Sequence, residues 1–265
     1  MTLNNYPITI AYGGGVNSTA MLCGMRERDM VPSLITFADT GGEHPHTYEH
    51  VNQISAICKI WWGIEITVVR MLFQGEFEGL EKNCIRKKML PSLAYGRKGC
   101  SMKYKVDPQT KELKRWMSEK GISDAYKFIG YDAGEGHRQV GKSEMKHSKN
   151  RTEHFKYPLI EWLWKRLECI EAIKRHGLPV AHKSACFFCP ASKRAEIITL
   201  KQQYPDLYAR AIAMESNAVT RKNMGLTGGD VKWSDIIEND EAQGKLWEWV
   251  ETVAETKIPC GCFDG

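Results

Sequence analysis

The stretch ITIAYGGGVNST, residues 8–19, decides the fold. Ile8–Tyr12 is a short apolar, β-branched run that enters a glycine cluster, Gly13, Gly14 and Gly15. A helical pattern follows from Ser18 to about Arg28, with Ala20, Met21, Leu22 and Met25 as its apolar stripe. Strand, glycine turn and helix in that order bring backbone amides up to phosphate oxygens. Glycine removes the side chain that would block the approach, and a helix N-terminus offers unpaired N–H groups and a favourable dipole. Ser18 and Thr19 add hydroxyl donors. The segment is neither the Gly-x-x-x-x-Gly-Lys-Ser/Thr loop nor the dinucleotide Gly-x-Gly-x-x-Gly.

Outward from this unit the alternation continues. Ser33–Ala38 reads as a second buried strand, Pro45 starts a helix to about Trp62, and Ile64–Val69 is a third strand. Asp107–Lys120 is helical, and Ala125–Gly130 is a fourth strand ending in the loop Tyr131–Glu135. Residues 141–156 are polar, lysine-rich and without periodicity, which reads as a mobile loop. Glu161–His176 is an amphipathic helix closed by Gly177 and Pro179; Lys193–Gln203 and Pro205 to about Ser216 are two more. Short apolar strands separated by helices predict an α/β protein, a Rossmann-like parallel sheet with helices on both faces. Ligands of such sheets bind beyond the carboxyl ends of the strands. No repeat or linker divides the chain, so residues 1–180 are expected to form the α/β domain and 181–265 a helical, cysteine-containing extension packed on it.

With 265 residues, 42% hydrophobic and 26% charged, the chain can bury a core and is unlike a disordered or fibrous protein. No apolar run approaches the roughly 20 residues of a membrane span. The start, MTLNNYPITI, lacks a secretory n-region, so a cytoplasmic protein without membrane association is expected. Nine cysteines in that setting point to metal, cluster or redox chemistry rather than disulfides. Net charge is +5, but residues 82–115 carry eleven Lys/Arg against two acids and 137–151 five against one. Two basic blocks on an otherwise acidic chain suit an anionic partner; solvated helix faces are the plainer account.

The glycine segment resembles the Ser-Gly-Gly-x-Asp-Ser phosphate loop of the adenine nucleotide alpha hydrolases, the group that includes the phosphoadenylyl-sulfate (PAPS) reductases. Gly14, Gly15 and Ser18 match, Gly13 stands for the first serine, and Asn17 stands for the aspartate. An amide is a poorer magnesium ligand than a carboxylate. Phe37-Ala-Asp-Thr-Gly-Gly-Glu43, with Pro45 and Thr47, resembles the family's second-strand segment, which puts Asp39 and Thr40 beside the nucleotide. Gly130-Tyr-Asp-Ala-Gly-Glu135 with Arg138 resembles its Gly-x-x-x-x-Glu-x-x-Arg substrate segment, which includes Asp132, and Tyr157-Pro-Leu-Ile-Glu-Trp162 its later Pro-Leu-x-Asp/Glu-Trp block. Each block alone has an ordinary structural explanation, a cap, a surface charge or core packing; four in order do not.

The cysteines divide the family. Cys186-Phe-Phe-Cys189-Pro190 can place two thiolates on one metal from a single turn. Cys100-Ser-Met-Lys-Tyr-Lys105-Val-Asp-Pro108 resembles the Cys-Cys-x-x-x-Lys-Val-x-Pro segment of the iron–sulfur sulfonucleotide reductases, with Ser101 on the second cysteine. The resemblance implies a 4Fe–4S cluster on Cys100, Cys186 and Cys189, completed by Cys260 or Cys262 or left with one open iron. A structural zinc on Cys186, Cys189, Cys260 and Cys262 competes with it, as does a buried, unligated pair. Pro259-Cys260-Gly261 also resembles the tail in which those reductases carry a nucleophilic cysteine. Cys23, Cys58, Cys84 and Cys169 fall in helical patterns and read as core.

The implied function is an adenine-nucleotide enzyme of sulfur transfer or nucleic-acid modification. It would cleave ATP between the α and β phosphates, with magnesium as a further cofactor and DNA or tRNA as acceptor. A cysteine desulfurase or a thiol reductant would be its partner. Lys105 and Arg138 would neutralise anionic groups. The alternatives are a thiol-dependent PAPS or adenylyl-sulfate reductase acting through Cys260, and a zinc-stabilised, non-catalytic nucleotide-binding subunit.

Overall fold

Residues 6–135, 152–220 and 223–243 are described by a computed structural model. Strand β1 (Ile8–Tyr12), every residue buried, is followed by helix α1 (Val16–Arg26), β2 (Leu34–Asp39), α2 (Pro45–Trp62) and β3 (Ile66–Arg70). A small hairpin, β4 (Leu72–Phe73) and β5 (Glu76–Phe77), leads to α3 (Leu80–Arg86). Helical turns over Gly99–Ser101 and Met102–Val106 run directly into α4 (Asp107–Lys120). Then come β6 (Ala125–Phe128), β7 (Glu153–Lys156), α5 (Arg166–Arg175), α6 (Arg194–Gln203), α7 (Pro205–Asn217) and α8 (Trp233–Gln243).

The main sheet has five strands in the order β3-β2-β1-β6-β7, all pairings parallel. The chain winds outward from β1 to β3, then returns across β1 to β6 and continues the other way. That reversal leaves a crevice at the carboxyl ends of β1 and β6. The two-residue period of a strand sorts the faces. Ile8, Ile10, Tyr12, Ile35, Phe37, Tyr126 and Phe128 point to one side and meet Met21, Val51, Ile54 and Ile173 of α1, α2 and α5. Leu34 and Ala125 point to the other and meet Leu113 and Met117 of α4. Helices therefore cover both faces, as the alternation predicted. Among the described residues no helix is long and apolar enough to cross a membrane.

A second core joins two distant stretches. Leu80, Cys84, Leu90, Ala94 and Tyr104 pack with Phe187, Phe188, Ile197, Met214 and Trp233. The thiols of Cys23, Cys58, Cys84 and Cys169 are buried, and burial pushes each up to about 12, which makes them inert core residues.

Two expectations need correction. Glu153–Lys156, read as the end of a loop, is the edge strand β7, paired in register with Ala125–Phe128; its alternation is too short to register by pattern. The rest of the expected loop, 141–151, lies outside the described residues. The helix expected over Glu161–His176 is broken: a turn at Pro158–Glu161 stops, Leu163 takes φ +59°, and α5 starts at Arg166. Tertiary packing overrides periodicity here, because Trp162 and Trp164 are used against α1. The guanidinium of Arg28 lies 4.2 Å from the Trp162 ring centroid, and a Cβ at Gly24 would come within 2.3 Å of that ring. Gly24→Val should therefore cost about 1–3 kcal/mol through overpacking, and lower the melting temperature by several degrees. An unchanged melting curve would show that Trp162 does not seat on α1.

Candidate active site

The glycine turn after β1 has the backbone that a phosphate loop needs. Gly14 sits at φ +74°, in the left-handed region, and a Cβ there would also meet the methyls of Thr47 and Val51 at 3.2 Å. Gly15 caps α1 in extended conformation, and the first turn of α1 presents amides that have no intrahelical acceptor. The hydroxyls of Ser18 and Thr19 bond within the protein. Both are fully buried, and both donate to the Gly15 carbonyl, at 3.1 and 2.9 Å. Thr19 also bonds Tyr12 Oη at 2.9 Å and His50 Nε2 at 3.0 Å. These side chains hold the loop's shape.

Asn17 explains its own departure from aspartate. Its Nδ2 donates to Asp132 Oδ2 at 3.1 Å and to Glu135 Oε2 at 2.9 Å, while its Oδ1 accepts from Arg166 Nη1 at 3.0 Å. An aspartate at position 17 would put three carboxylates together; an amide supplies the donors two of them need. Gly130 packs on the backbone of Asn17 and Ser18, so the loop after β6 closes directly over the start of α1.

Asp39, at the carboxyl end of β2, is engaged within the protein. Its Oδ1 accepts from Gly41 N–H and Tyr48 Oη, each at 2.8 Å, and its Oδ2 from Arg70 Nε at 2.9 Å. The carboxylate shapes the turn between β2 and α2, and the next side chain, Thr40, faces a pocket.

That pocket is lined by Thr40, Cys100, Ser101, Lys105, Cys186 and Cys189 among others. Cys100 arrives on the helical turns before α4. Cys186 and Cys189 sit on one turn, closed by Cys189 N–H donating to Cys186 O at 3.0 Å. The turn docks on the β2–α2 loop through a bridge between Glu43 and Cys186 and a 2.8 Å bond from Phe187 N–H to Gly42 O. Gly42 permits the approach, since a Cβ there would lie 2.5 Å from the Phe188 ring. Just upstream, Ser184 Oγ donates to Gly13 O at 2.6 Å. One hexapeptide, Ser184–Cys189, thus touches both the glycine loop and the thiol pocket.

Beneath the pocket lies Glu43, with no side-chain exposure. Its Oε1 is 3.3 Å from Lys105 Nζ and accepts from Thr40 Oγ1 at 3.1 Å; Thr40 Oγ1 lies 3.2 Å from Cys186 Sγ. Its Oε2 is buried without a hydrogen-bond partner. None of the pocket cysteines is in a disulfide. Among the described residues no three His, Cys, Asp or Glu side chains converge closely enough to hold a single metal ion. Cys100, Cys186 and Cys189 share this one lining, and thiolate is the donor that a multi-iron group takes.

Of the sequence-predicted residues, Gly13, Gly14, Gly15, Asn17, Ser18, Thr19, Gly130, Asp132 and Glu135 gather at the glycine loop, and Thr40, Lys105, Cys100, Cys186 and Cys189 at the pocket. Arg138, Cys260 and Cys262 lie outside the described residues. Sequence reasoning assigned no role to Glu43, His50, Arg166 or Ser184. Glu43 stands four residues after Asp39 and was legible as a polar residue in the same turn. Arg166 and Ser184 contact partners 149 and 171 residues away, for which no local pattern exists.

His44, at the end of the β2–α2 turn, and His46 and His50, in the first turns of α2, lie beside the glycine loop, where His50 bonds Thr19. Burial pulls His44 and His50 down to about 4, and it lowers His46 as well, with His182 adding repulsion. Each is neutral when folded and more basic when unfolded. The stability this contributes is complete above about pH 6.5 and is lost as pH falls towards 4. Melting temperature should drop over that window, and His50→Gln should flatten the fall. An identical slope in the variant would remove His50 from the account.

No protein-family model matches the chain. It is similar to the uncharacterized protein MJ0973 of Methanocaldococcus jannaschii, 20% identical over 264 residues, an alignment taking in 96% of this chain and 54% of that protein. The chain therefore spans about half the length of the curated relative it matches. Among solved structures it is similar to the U34-tRNA thiolase NcsA from Methanococcus maripaludis, described with its 4Fe–4S cluster, at 16% identity and a TM-score of 0.45, covering 81% of this chain and 73% of that one. The function of this chain rests on its own residues.

Proposed function

We propose that the chain is an ATP-using sulfur-transfer enzyme acting on nucleic acid, tRNA before DNA, with a 4Fe–4S cluster held by Cys100, Cys186 and Cys189. The observation that carries this reading is the hexapeptide Ser184–Cys189, which bonds the glycine loop at one end and lines the cysteine pocket at the other. Nucleotide activation and sulfur chemistry would then meet within one crevice.

The residues divide the work as follows. Backbone amides of Gly13–Asn17 and the α1 dipole hold the phosphates of ATP. Asp132 and Glu135 stand beside that loop and suit a magnesium ion arriving with the nucleotide. Cleavage between the α and β phosphates would join AMP to the acceptor and release pyrophosphate. Lys105, only 12% exposed and paired with Glu43, and Arg138 supply positive charge to the leaving group. When bound, the cluster supplies iron that carries sulfur. Sulfur would come from a cysteine desulfurase and displace AMP from the adenylated acceptor; a thiol reductant would be the partner in the reductase alternative. Lys82, Arg86, Lys87, Lys88, Arg97 and Lys98 are exposed on the segment that also contributes the pocket wall at Pro91 and Cys100, which suits a phosphate-rich acceptor.

Protein isolated without oxygen should carry about four iron and four sulfide per chain, and Cys186→Ala should lose them. Stoichiometric zinc without sulfide would favour the structural site. Adenine nucleotides should raise the melting temperature by linkage, and Gly14→Val should abolish the rise, because a β-branched residue resists positive φ. Pyrophosphate should be released from ATP, faster with tRNA present. Charge reversal at Lys87 and Lys88 should weaken tRNA binding and its salt dependence without affecting ATP binding. Sulfite released from a sulfonucleotide without pyrophosphate, and abolished by Cys260→Ser, would replace this reading with a reductase.

A further inference from the structure

The pocket contains a polar group that none of the roles above uses. Ser101 follows Cys100 and lines the same cavity as the three thiols. Only 5% of it is exposed, and its Oγ is buried with no hydrogen-bond partner. A serine hydroxyl rotates freely and can donate once and accept twice, so it is the easiest side chain to satisfy. An interior one left unpaired is destabilising, and native structures hold few such groups without a reason. The backbone is unusual at the same place. The turn Gly99–Ser101 passes at once into a π-type turn, Met102–Val106, a wide turn that gathers at functional sites.

We propose that Ser101 Oγ is the fourth protein ligand of the cluster, which the chain then binds through three sulfurs and one oxygen. This rests on the cluster reading given above. Coordination is ligand exchange with no change of oxidation state. The hydroxyl gives its proton to solvent as its oxygen binds iron, as each thiol does. Oxygen is the harder donor, so the iron it holds is bound less tightly than the three held by thiolates and exchanges first. The unpaired hydroxyl of the metal-free chain thereby gains its partner. Cys260 and Cys262 are the competing donors for this position.

The test is anaerobic reconstitution of the full chain with iron-57 and sulfide, read by Mössbauer and EPR spectroscopy and by the rate of iron removal with a chelator. Wild type should show one iron distinct from the rest. Ser101→Cys should make the irons alike and slow chelation on the order of tenfold. Ser101→Ala should lose one iron on mild oxidation and display a three-iron EPR signal. Metal-free Ser101→Ala should melt no lower than wild type, because it removes an unsatisfied group, and this separates ligand loss from misfolding. Equal iron content and identical spectra in wild type and Ser101→Ala would overturn the proposal. So would loss of the distinct iron from Cys260→Ser or Cys262→Ser while Ser101→Ala retains it. A wild-type chain that takes up zinc but no iron or sulfide would instead overturn the cluster itself, a result that the metal analysis tells apart from the others.

Discussion

The rest of the site depends on the docking of Ser184–Cys189 onto the turn after β2. Two parallel strands, β1 and β2, end side by side, and each leads into a loop of glycines. The hexapeptide bonds the first loop at Gly13 and the second at Gly42 and Glu43. Both acceptors are backbone carbonyls, so the attachment survives changes in neighbouring side chains. What it demands is the absence of one at position 42, where a single methyl would strike Phe188. Phe188 in turn belongs to the second core, so the helices that pack around it fix the height of the cysteines above the sheet.

Charge at the glycine loop obeys the same economy. Three carboxylates would crowd the glycine loop if position 17 were acidic like Asp132 and Glu135. The amide of Asn17 instead donates to both carboxylates, and Arg166 completes the set from α5. Negative charge is thereby held at the side of the loop while the α1 amides remain at its centre. Asn17, where the loop it resembles has an aspartate, is thus held between two carboxylates of the neighbouring loop.

Much of this was legible in the chain. The glycine run after Ile8–Tyr12, the helix Pro45–Trp62 and the helix Asp107–Lys120 were read at their observed positions, because strong turn chemistry and apolar periodicity coincide there. Cys100, Cys186 and Cys189 were grouped in advance and do line one pocket. What escaped is non-local. Glu153–Lys156 becomes a strand only because β6 offers it an edge, and Trp162–Trp164 leave the helix only because α1 has a gap at Gly24. Ser18 and Thr19 stand in the first turn of α1 and Asp39 at the end of β2, where the sequence puts them. Their polar atoms nevertheless bond to the protein itself, a distinction that depends on rotamers and partners and is invisible to pattern.

The buried chain from Cys186 through Thr40 and Glu43 to Lys105 ties the cysteine turn to the helical turns before α4 in a way that neither motif announces. Glu43 is fully enclosed, so its charge is tolerable only with Lys105 and the Thr40 hydroxyl at hand. A thiolate formed at Cys186 would add a second negative charge close by, and Lys105 is the cation placed to offset both. The side chain that would steady an anionic leaving group is therefore the same one that steadies a deprotonated pocket cysteine. Thr40 stands between them, one residue beyond β2, and can pass its hydroxyl from the carboxylate to the sulfur as the balance of charge changes.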